Sequence, residues 1–411
     1  MVKGFSTMAI HGPASLRDSK GALRTPVYDS VAFEHESADS LRRTFEGKKL
    51  AHAYSRISNP TVTDFEQRVQ LISGGVGVLA VSSGMAAISN IILTIGGAGA
   101  NIVASKHMFG NTLSLLERTL KPWGLEVKYV STDDPLEIGE AIDENTSAVF
   151  IETITNPQMD VPDCRQISEI AAAHQVPLIL DNTLMTPYLF NSGDHGVNIE
   201  LLSSTKYISG GATSVGGVII DNGNFDWRNS PRLKERAQKQ GSMALIAALR
   251  QEVYRNVGAC LAPHNAYLQT LGLETMSLRI EKSCANTQAL AGYLEAHPRI
   301  KGVNYPGLMS SPYHEIADRQ FGGRYGGVLT FDLETEQQCF AFTDALQLIR
   351  RATNINDNKT LVIHPSSTIF AEYTDEEKLE MGVRPTMLRL SVGIEDHEDL
   401  IADLEEGFRK P

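Results

Sequence analysis

The sequence predicts an α/β protein that combines a large, doubly wound, mostly parallel sheet with a smaller C-terminal α+β domain. Short apolar runs recur from about residue 74, and helix-like stretches separate many of them. Beyond about residue 250 the pattern changes to a long amphipathic stretch and further apolar runs. The length of 411 residues suggests two or three domains. In a sheet of this kind, ligands bind at the carboxyl ends of the strands.

The first group of apolar runs is short and rich in Val, Ile and Leu, which is typical of buried parallel strands. These runs span residues 76–81, 101–104, 125–130, 147–151, 176–180, 199–202 and 215–220. Between them, residues 111–120 place several leucines on one helical face. Asp163 can cap a helix over residues 164–174, because an aspartate oxygen accepts from the free N–H groups of a first helical turn.

The sequence pattern divides the chain into three segments. Residues 1–58 show no sustained hydrophobic period, so we expect an N-terminal arm that packs on something outside itself. Residues 59–250 form the predicted main domain and residues 251–411 the predicted C-terminal domain. The elements expected in the C-terminal domain are a long helix over 275–294, strands over 327–333 and 388–392, and a closing helix over 398–408.

Composition and charge restrict the possible partners. Hydrophobic residues make up 42% of the chain and charged residues 21%, which is ordinary for a globular protein. The 37 basic side chains against 49 acidic ones give a net charge of −12. Nucleic acids and anionic membranes need a basic surface, so we expect neither as a partner. One small anion held by backbone dipoles is compatible with this charge.

The cysteines and the first residues bear on the compartment. Cys164, Cys260, Cys284 and Cys339 show no CxxC or CxxxC spacing, which argues against a zinc site, an iron–sulfur cluster or a dithiol redox motif. Disulfide scaffolds are shorter and richer in cysteine, so we expect a reducing, cytoplasmic location. The start MVKGFSTMAIHG lacks the apolar core of a signal peptide, and the apolar stretch 85–95 is too short to span a bilayer.

Residues 82–87, Ser-Ser-Gly-Met-Ala-Ala, directly follow a predicted strand and open a helix. The free N–H groups and the positive dipole end of a helix N-terminus bind anions, so this segment predicts a phosphate site, with an ordinary tight turn as the alternative. Residues 75–80 formally match the GxGxxA dinucleotide fingerprint. They precede a strand instead of following one, so we discount a dinucleotide site.

Two further clusters place a charged side chain directly after a predicted strand. Asp181 ends the run 176–180, where a carboxylate points into the cleft of such a domain, and a helix cap is the alternative. Lys206 follows Ser203 and Thr205, whose hydroxyls can bind phosphate, and glycines lie close behind. A lysine in such a pocket forms Schiff bases, whereas a lone lysine is usually a solvated surface charge.

The last cluster is Arg389 within the apolar run 388–392. A buried arginine needs an anionic partner, and its planar fork matches a carboxylate. That partner is either a bound substrate or an internal glutamate such as Glu395.

Together these clusters supply the groups that a pyridoxal phosphate enzyme needs. A lysine binds the cofactor aldehyde, a carboxylate keeps the pyridine nitrogen protonated, an anion cradle holds the phosphate, and an arginine holds the substrate carboxylate. The combination predicts pyridoxal 5'-phosphate as the cofactor and a small amino acid as the substrate. The opposing hypothesis is a non-catalytic α/β module that binds a phosphorylated ligand.

The sequence resembles the Cys/Met-metabolism family of pyridoxal phosphate enzymes over nearly its whole length. The resemblance runs from Tyr-Ser-Arg-Ile-Ser-Asn-Pro-Thr at 54–61 to Arg-Leu-Ser-Val-Gly at 389–393. The family includes cystathionine γ-synthase and γ-lyase, methionine γ-lyase and homoserine-ester sulfhydrylases. It implies the aspartate-aminotransferase-like fold (PLP fold type I), with residues 59–250 as the cofactor-binding domain.

The resemblance also implies roles for individual residues. Lys206 would be the Schiff-base lysine and Asp181 the partner of the pyridine nitrogen. The phosphate would be held by the amides of Gly84 and Met85 and the hydroxyls of Ser203 and Thr205. The substrate would be contacted by Arg389, Asn156, Asn354 and Tyr54.

A shared active site is implied as well. Tyr54 and Arg56 would reach the phosphate bound by a neighbouring subunit, with the arm over residues 1–58 lying against that subunit. The resemblance therefore implies a homo-oligomer of at least two subunits, expected to be a tetramer.

Two departures from the family pattern bear on the substrate. Phe109-Gly110 stands where the family has Tyr-Gly, so the ring can stack on the cofactor while the phenol proton donor is missing. A carboxylate ester needs less protonation than a thiolate to leave, which favours an acyl-homoserine substrate. Asn354-Ile-Asn-Asp357 replaces the family's Ser-Leu-Gly-Asp, so we expect a different shape in the loop that holds the substrate carboxylate.

Residues 211–221 and 272–276, Gly-Leu-Glu-Thr-Met, look most like the O-acetylhomoserine sulfhydrylase branch of the family. This implies γ-replacement on an O-acyl-L-homoserine, with O-acetyl favoured, by sulfide or another sulfur donor to form homocysteine in methionine biosynthesis. Methionine or cystathionine γ-lyase and cystathionine γ-synthase are the alternatives. The acyl group and the sulfur donor, whether free sulfide, a thiol or carrier-bound sulfur, stay open at this point.

Overall fold

The computed structural model describes residues 4–13 and 21–409. The first three residues of the N-terminal stretch MVKGFSTMAIHG, in which the sequence predicts no signal peptide, lie outside these ranges. Within them the chain forms a sheet of seven strands and a second sheet of five strands, together with helices. The predicted α/β class, with a large, mostly parallel sheet and a smaller second sheet, is confirmed.

The N-terminal segment contains α1 (Phe5–His11) and α2 (Ala38–Phe45), although the sequence shows no clear period there. Helix α1 packs on its own chain, because Ala9 is buried and the hydroxyl of Ser6 lies 2.9 Å from that of Ser277. Residues 21–58 differ, since Ser40 is the only buried residue in this fully described range. The expectation of a segment without its own core therefore describes residues 21–58 and does not extend to α1.

The strands of the large sheet are β1 (Gly77–Val81), β2 (Asn101–Ser105), β3 (Glu126–Val130), β4 (Thr146–Glu152), β5 (Leu178–Asp181), β6 (Ile199–Leu202) and β7 (Gly217–Asp221). Their spatial order is β1-β7-β6-β5-β4-β2-β3. Strands β2 to β6 pair in parallel with one another, whereas β7 runs antiparallel to both β1 and β6. The carboxyl ends of β1 to β6 therefore lie along one edge of the sheet.

Successive residues of these strands face two separate cores. In β1, Val78 and Ala80 belong to one apolar cluster, while Leu79 and Val81 belong to the other. Since both faces of the sheet are covered, no polar residue has to alternate with the apolar ones. This explains why the strands appear in the sequence as continuous apolar runs.

The helices of this part of the chain are α3 (Pro60–Ser73), α4 (Gly84–Ile95), α5 (Gly110–Ser114), α6 (Pro135–Ala141), α7 (Cys164–Ala173), α8 (Thr186–Leu189), α9 (Lys234–Gln240), α10 (Ala244–Ala248) and α11 (Tyr254–Val257). Asp163 caps α7 as predicted, because its carboxylate accepts the N–H of Gln166 at 3.0 Å. The predicted helix over 111–120 is present as α5 followed by a π-helical stretch, Leu115–Leu120.

The second sheet consists of β8 (Gly302–Asn304), β9 (Val328–Asp332), β10 (Arg350–Arg351), β11 (Leu361–Ile363) and β12 (Met387–Ser391), in the order β10-β11-β12-β9-β8. The accompanying helices are α12 (Pro263–Ala296), α13 (His314–Phe321), α14 (Glu336–Ala345), α15 (Asp375–Glu380) and α16 (His397–Arg409). Strand β12 lies inside the sheet, so its central Arg389 is held within a buried strand. The predicted domain bounds at residues 58 and 250 stay a prediction.

Helix α12 is longer than predicted, since it has 34 residues and begins at Pro263, where the sequence pattern indicates a start near 275. The polar side chains of Gln269 and Thr270 are buried before residue 275, so no apolar stripe marks the first turns. Pro263 at the first helical position is the start signal, because proline has no N–H to leave unpaired there.

Two features are absent from residues 4–13 and 21–409. No helix there has both the length and the apolar character needed to cross a membrane. No group of three or more His, Cys, Asp or Glu side chains there is arranged to bind a metal ion.

Candidate active site

A cavity of about 390 Å³ lies at the carboxyl edge of the large sheet. Its lining includes the predicted site residues Gly84, Met85, Phe109, Asn156, Asp181, Ser203, Thr205, Lys206 and Arg389. The loops after β1, β2, β4, β5 and β6 each contribute to it, and β12 contributes Arg389 from the second sheet. The fold therefore brings together residues that are up to about three hundred positions apart in the chain.

Lys206 lies in the loop after β6, and its amine donates a hydrogen bond to Oδ1 of Asn354 at 2.6 Å. Burial lowers the pKa of this amine to about 8, and the positive charge of Arg389 acts in the same direction. The alternative of a solvated surface lysine is therefore wrong. A largely buried amine with a lowered pKa is suited to attack a carbonyl group.

Asp181 is the last residue of β5, and its carboxylate accepts the backbone N–H of Thr183 at 3.0 Å. Burial raises the pKa of Asp181, while the bond from Thr183 and the charge of Lys206 act in the opposite direction. The carboxylate thus faces the cavity from the end of a buried strand. It is placed to form an ion pair with a protonated ring nitrogen.

The N-terminus of α4 lies at the cavity, where the sequence predicts an anion site. The side chain of Ser83 accepts the N–H of Ala86 at 3.0 Å, and its carbonyl oxygen accepts that of Ala87. The N–H groups of Gly84 and Met85 precede these in the first turn, where no intrahelical acceptor exists, and both residues line the cavity.

Ser203 and Thr205, in the loop after β6, lie beside this helix end. A Cβ atom at Gly84 would lie 2.8 Å from Cβ of Ser203, which is too close for any residue except glycine. The close approach places Ser203 next to the first turn of α4, whereas the hydroxyl of Thr205 donates to the carbonyl oxygen of Gly216 and accepts its N–H, both at 3.1 Å. Backbone N–H groups, a helix dipole and hydroxyls together form a site suited to phosphate.

Arg389 is 2% exposed, so it is buried within β12. Its Nη1 donates to Oδ1 of Asn156 at 2.9 Å, and its Nη2 donates to the carbonyl oxygen of Thr353 at 3.3 Å. Its Nε has no hydrogen-bond partner among the described residues. Burial lowers the pKa of Arg389 to about 9, which reflects the lack of a neighbouring anion.

The internal ion pair considered for Arg389 is not formed. The carboxylate of Glu395 instead accepts from the backbone N–H of Thr360 at 2.6 Å and from its hydroxyl at 2.8 Å. A buried guanidinium without an internal counterion, facing a cavity, fits the carboxylate of a bound amino acid.

Tyr54 and Arg56 do not line the cavity of their own chain. The guanidinium carbon of Arg56 lies 5.4 Å from the centre of the Tyr54 ring, and Arg56 donates to the carbonyl oxygen of Arg255. The neighbouring segment has few buried residues, so these two side chains are presented at the surface of the chain. Their predicted role in the site of another subunit stays a prediction.

Sequence reasoning missed Glu152 and Thr183, both of which line the cavity. Glu152 ends β4 as Asp181 ends β5, and the two residues are register partners in the parallel pair. A carboxylate at the last position of a buried strand is the signal that identifies Asp181, and it would have identified Glu152 as well. Thr183 lies two residues after Asp181 and supports it.

The cavity fits pyridoxal phosphate. Lys206 can bind its aldehyde, Asp181 its ring nitrogen and the N-terminus of α4 its phosphate, and the guanidinium of Arg389 lines the same cavity, where it can bind a carboxylate. The fold and these groups define a pyridoxal-phosphate-dependent enzyme.

More narrowly, the chain belongs to the family of Cys/Met metabolism PLP-dependent enzymes, whose sequence profile matches residues 6–409. A homocysteine synthase of Schizosaccharomyces pombe is 37% identical over 98% of both chains.

Two solved structures are similar as well. A putative O-acetylhomoserine (thiol)-lyase of Campylobacter jejuni, which carries a pyridoxyl-lysine phosphate, superposes with a TM-score of 0.93 at 34% identity, over 99% of this chain and 100% of its own. An O-acetylhomoserine sulfhydrylase of Wolinella succinogenes, from its methionine biosynthetic pathway, is 48% identical with a TM-score of 0.77 and covers 86% of this chain and 98% of its own. The predicted family and cofactor are confirmed.

Proposed function

We propose that this enzyme replaces the γ-acetoxy group of O-acetyl-L-homoserine with a sulfur nucleophile and so forms homocysteine. The overall change is balanced: hydrosulfide enters, acetate leaves, and the amino and carboxylate groups of the substrate are unchanged. The names of the relatives support this reaction, since they include a homocysteine synthase and O-acetylhomoserine sulfhydrylases.

The charges of the residues that line the cavity favour an acetyl group over other acyl groups. Among the described lining residues, the cationic side chains are Lys206 and Arg389, which serve the cofactor and the substrate α-carboxylate. Much of the remaining lining is apolar and includes Ile88, Ile154, Leu184, Val215 and Ile355. A succinyl or phosphoryl group would bring a negative charge to this lining without a partner, which is costly, whereas an acetyl group is neutral.

The side chains of this chain divide the work of the reaction. Bound pyridoxal phosphate supplies an electron sink that makes protons of the amino acid acidic. Arg389 orients the substrate through its α-carboxylate, and Asp181 keeps the ring nitrogen protonated. The amine of Lys206 takes the α-proton, for which it must be neutral, and a pKa lowered to about 8 makes the neutral fraction larger than in an ordinary lysine.

Phe109 supports an ester as the leaving group. Its side chain lines the cavity but offers no hydroxyl that could protonate a departing thiolate. Acetate is a weak base and leaves without a proton donor. The alternative γ-lyase function acts on thioethers, whose sulfur needs a proton as it departs, so this lining supports it less well.

We also propose a cytoplasmic homo-oligomer, with dimers that share active sites and assemble as a tetramer. The exposed apolar side chains of residues 21–58 support the shared interface, since Leu23 and Leu50 are fully exposed and Val31 and Phe45 are about 60% exposed in a single chain. All four cysteines are free thiols, which is typical of a reducing compartment.

Product analysis tests the proposed reaction. The purified holoenzyme is incubated separately with O-acetyl-, O-succinyl- and O-phospho-L-homoserine, each with and without sulfide, and products are identified by mass spectrometry. We expect homocysteine and acetate from the acetyl ester with sulfide. Efficient cleavage of methionine or cystathionine, without homocysteine from O-acetylhomoserine, would establish the lyase function instead.

A further inference from the structure

Glu152 lies in the candidate site, although no step described so far uses it. Its side chain is 4% exposed and lines the cavity beside Asp181, its register partner in β5. Burial raises the pKa of Glu152 well above its usual range, and the negative charge of Asp181 adds to this effect. A buried carboxylate next to a second carboxylate is unfavourable unless it forms good hydrogen bonds.

The two oxygens of Glu152 bind the backbones of two different loops. Oε1 accepts the N–H of Phe109, in the loop after β2, at 2.7 Å. Oε2 accepts the N–H of Asn156, in the loop after β4, at 3.1 Å. Because each oxygen has its own donor, one carboxylate fixes the distance between these two loops.

Both bonded residues act at the site. The ring of Phe109 lines the cavity, and α5 begins directly after it. The side chain of Asn156 accepts from Nη1 of Arg389 at 2.9 Å. Glu152 thus holds the backbone of Phe109 by one bond. It is linked to the guanidinium by a bond from the backbone N–H of Asn156 and a second bond at the side chain of Asn156.

We propose that Glu152 is a positioning residue that holds Phe109 and, through Asn156, Arg389 in fixed relation to each other. The inference rests on the proposed function only where it assigns Arg389 to the substrate carboxylate. Glu152 itself touches backbone N–H groups, so its effect on bound ligands passes through the residues that it holds.

The variant Glu152→Gln tests this role at nearly constant volume. A carboxamide offers one oxygen to one N–H and turns its NH₂ toward the other, so one of the two loops is released. Asp403→Asn is the matched control, because Asp403 is also buried and accepts three backbone N–H groups, of residues 347, 348 and 349, in the C-terminal part of the chain. Both changes remove a buried carboxylate that binds loop backbone, but only one of them lies at the cavity.

Three readouts are measured on the holoenzymes. Visible circular dichroism of the cofactor band reports the ring environment, and a spectral titration with L-norvaline reports binding of an amino acid that has no leaving group. Steady-state kinetics then separates KM from kcat. L-Norvaline binding does not depend on the γ-replacement reaction, so a wrong proposed function and a wrong role for Glu152 give different results.

We expect Glu152→Gln to reduce the dichroic amplitude and to weaken L-norvaline binding about tenfold, as for loss of one buried hydrogen bond, while Asp403→Asn changes neither. In an Asn156→Ala background, the added effect of Glu152→Gln on L-norvaline binding should be small, because the path to Arg389 is already broken. Unchanged dichroism and unchanged L-norvaline binding in Glu152→Gln would overturn the proposal, as would equal changes in the control.

A second variant, Glu152→Asp, tests the same role if Glu152→Gln folds poorly. Glu152→Asp retains the carboxyl group but is one methylene shorter, so it cannot reach both N–H groups. We expect it to show the same loss of dichroism and of L-norvaline affinity. If Glu152→Asp behaves like the unaltered protein, a carboxyl group at this position is sufficient without the two bonds, which contradicts a positioning role.

Discussion

The amine of Lys206 donates its hydrogen bond to Oδ1 of Asn354, a residue 148 positions further along the chain. The other end of this amide, Nδ2, donates to the carboxylate of Asp357 at 2.9 Å. A carboxylate can only accept hydrogen bonds, so Asp357 must bond to the NH₂ group of Asn354. The amide is thereby oriented with its oxygen toward the lysine. The segment before β11 in the second sheet thus orients the reactive amine at the edge of the first sheet.

The lowered pKa of Lys206 predicts how cofactor uptake depends on pH. Only the neutral amine attacks an aldehyde, and its fraction rises as the pH passes through about 8. We expect the rate at which the apoprotein takes up pyridoxal phosphate to rise with pH and to level off above about pH 9. Stopped-flow absorbance of the bound cofactor measures this rate. A rate that continues to rise about tenfold per pH unit up to pH 10 would indicate an ordinary lysine pKa.

Substitution of Asn354 by aspartate should shift this profile upward. A carboxylate in the place of the amide oxygen stabilises the charged amine, so in Asn354→Asp we expect the midpoint of uptake to rise by about one pH unit. Asn358→Asp is the control, since it adds the same charge in the same loop, where Asn358 donates to the carbonyl oxygen of Gly210 and not to the lysine. An equal shift in both variants would mean that the added charge acts at a distance and that the bond to Asn354 is unimportant.

The sequence predicts the position of Lys206 and Asp181 because each follows an apolar run that is visible in the chain. The carboxyl ends of parallel strands meet at one edge, so the run alone places the residue after it. Glu152 occupies the same kind of position, but its function depends on Phe109, which lies 43 residues earlier. No local pattern connects two residues so far apart, and only the folded chain shows that they are bonded.

Other features were hidden for different reasons. The first turns of α12 bury polar side chains, so they lack the apolar period by which helices are identified. Strands β8, β10 and β11 have only two or three residues, which is too short for any period. Tyr54 and Arg56 match a family motif, but they do not line the cavity of their own chain, so their role in the site of a second chain stays a prediction.

A shared active site predicts complementation between two inactive variants. Lys206→Ala removes the reactive amine, and Arg56→Ala removes the side chain that we expect to act in the neighbouring subunit. After mixing, unfolding and reassembly at equal amounts, we expect about a quarter of the original activity, since half of the dimers are mixed and each has one intact site. Activity that stays at the level of the separate variants would show that each site is built from one chain.

Phe109 offers the sharpest test of the leaving group. If ester departure needs no phenol, Phe109→Tyr should change the turnover of O-acetylhomoserine with sulfide by less than about twofold, because general acid catalysis adds nothing to it. The same variant should raise the cleavage of methionine or cystathionine by about 100-fold, because a positioned hydroxyl can now protonate the departing sulfur.

Phe109→Leu serves as the control in this experiment, since it removes the ring without adding a hydroxyl. We expect it to impair both reactions, because the aromatic surface beside the cofactor is lost. Measurement of kcat/KM for each substrate on all three proteins separates the contribution of the ring from that of the hydroxyl. Efficient methionine cleavage by the unaltered enzyme, with no gain in Phe109→Tyr, would mean that another group already donates the proton. In that case the absent phenol would not explain a preference for esters, and the γ-lyase function would gain support.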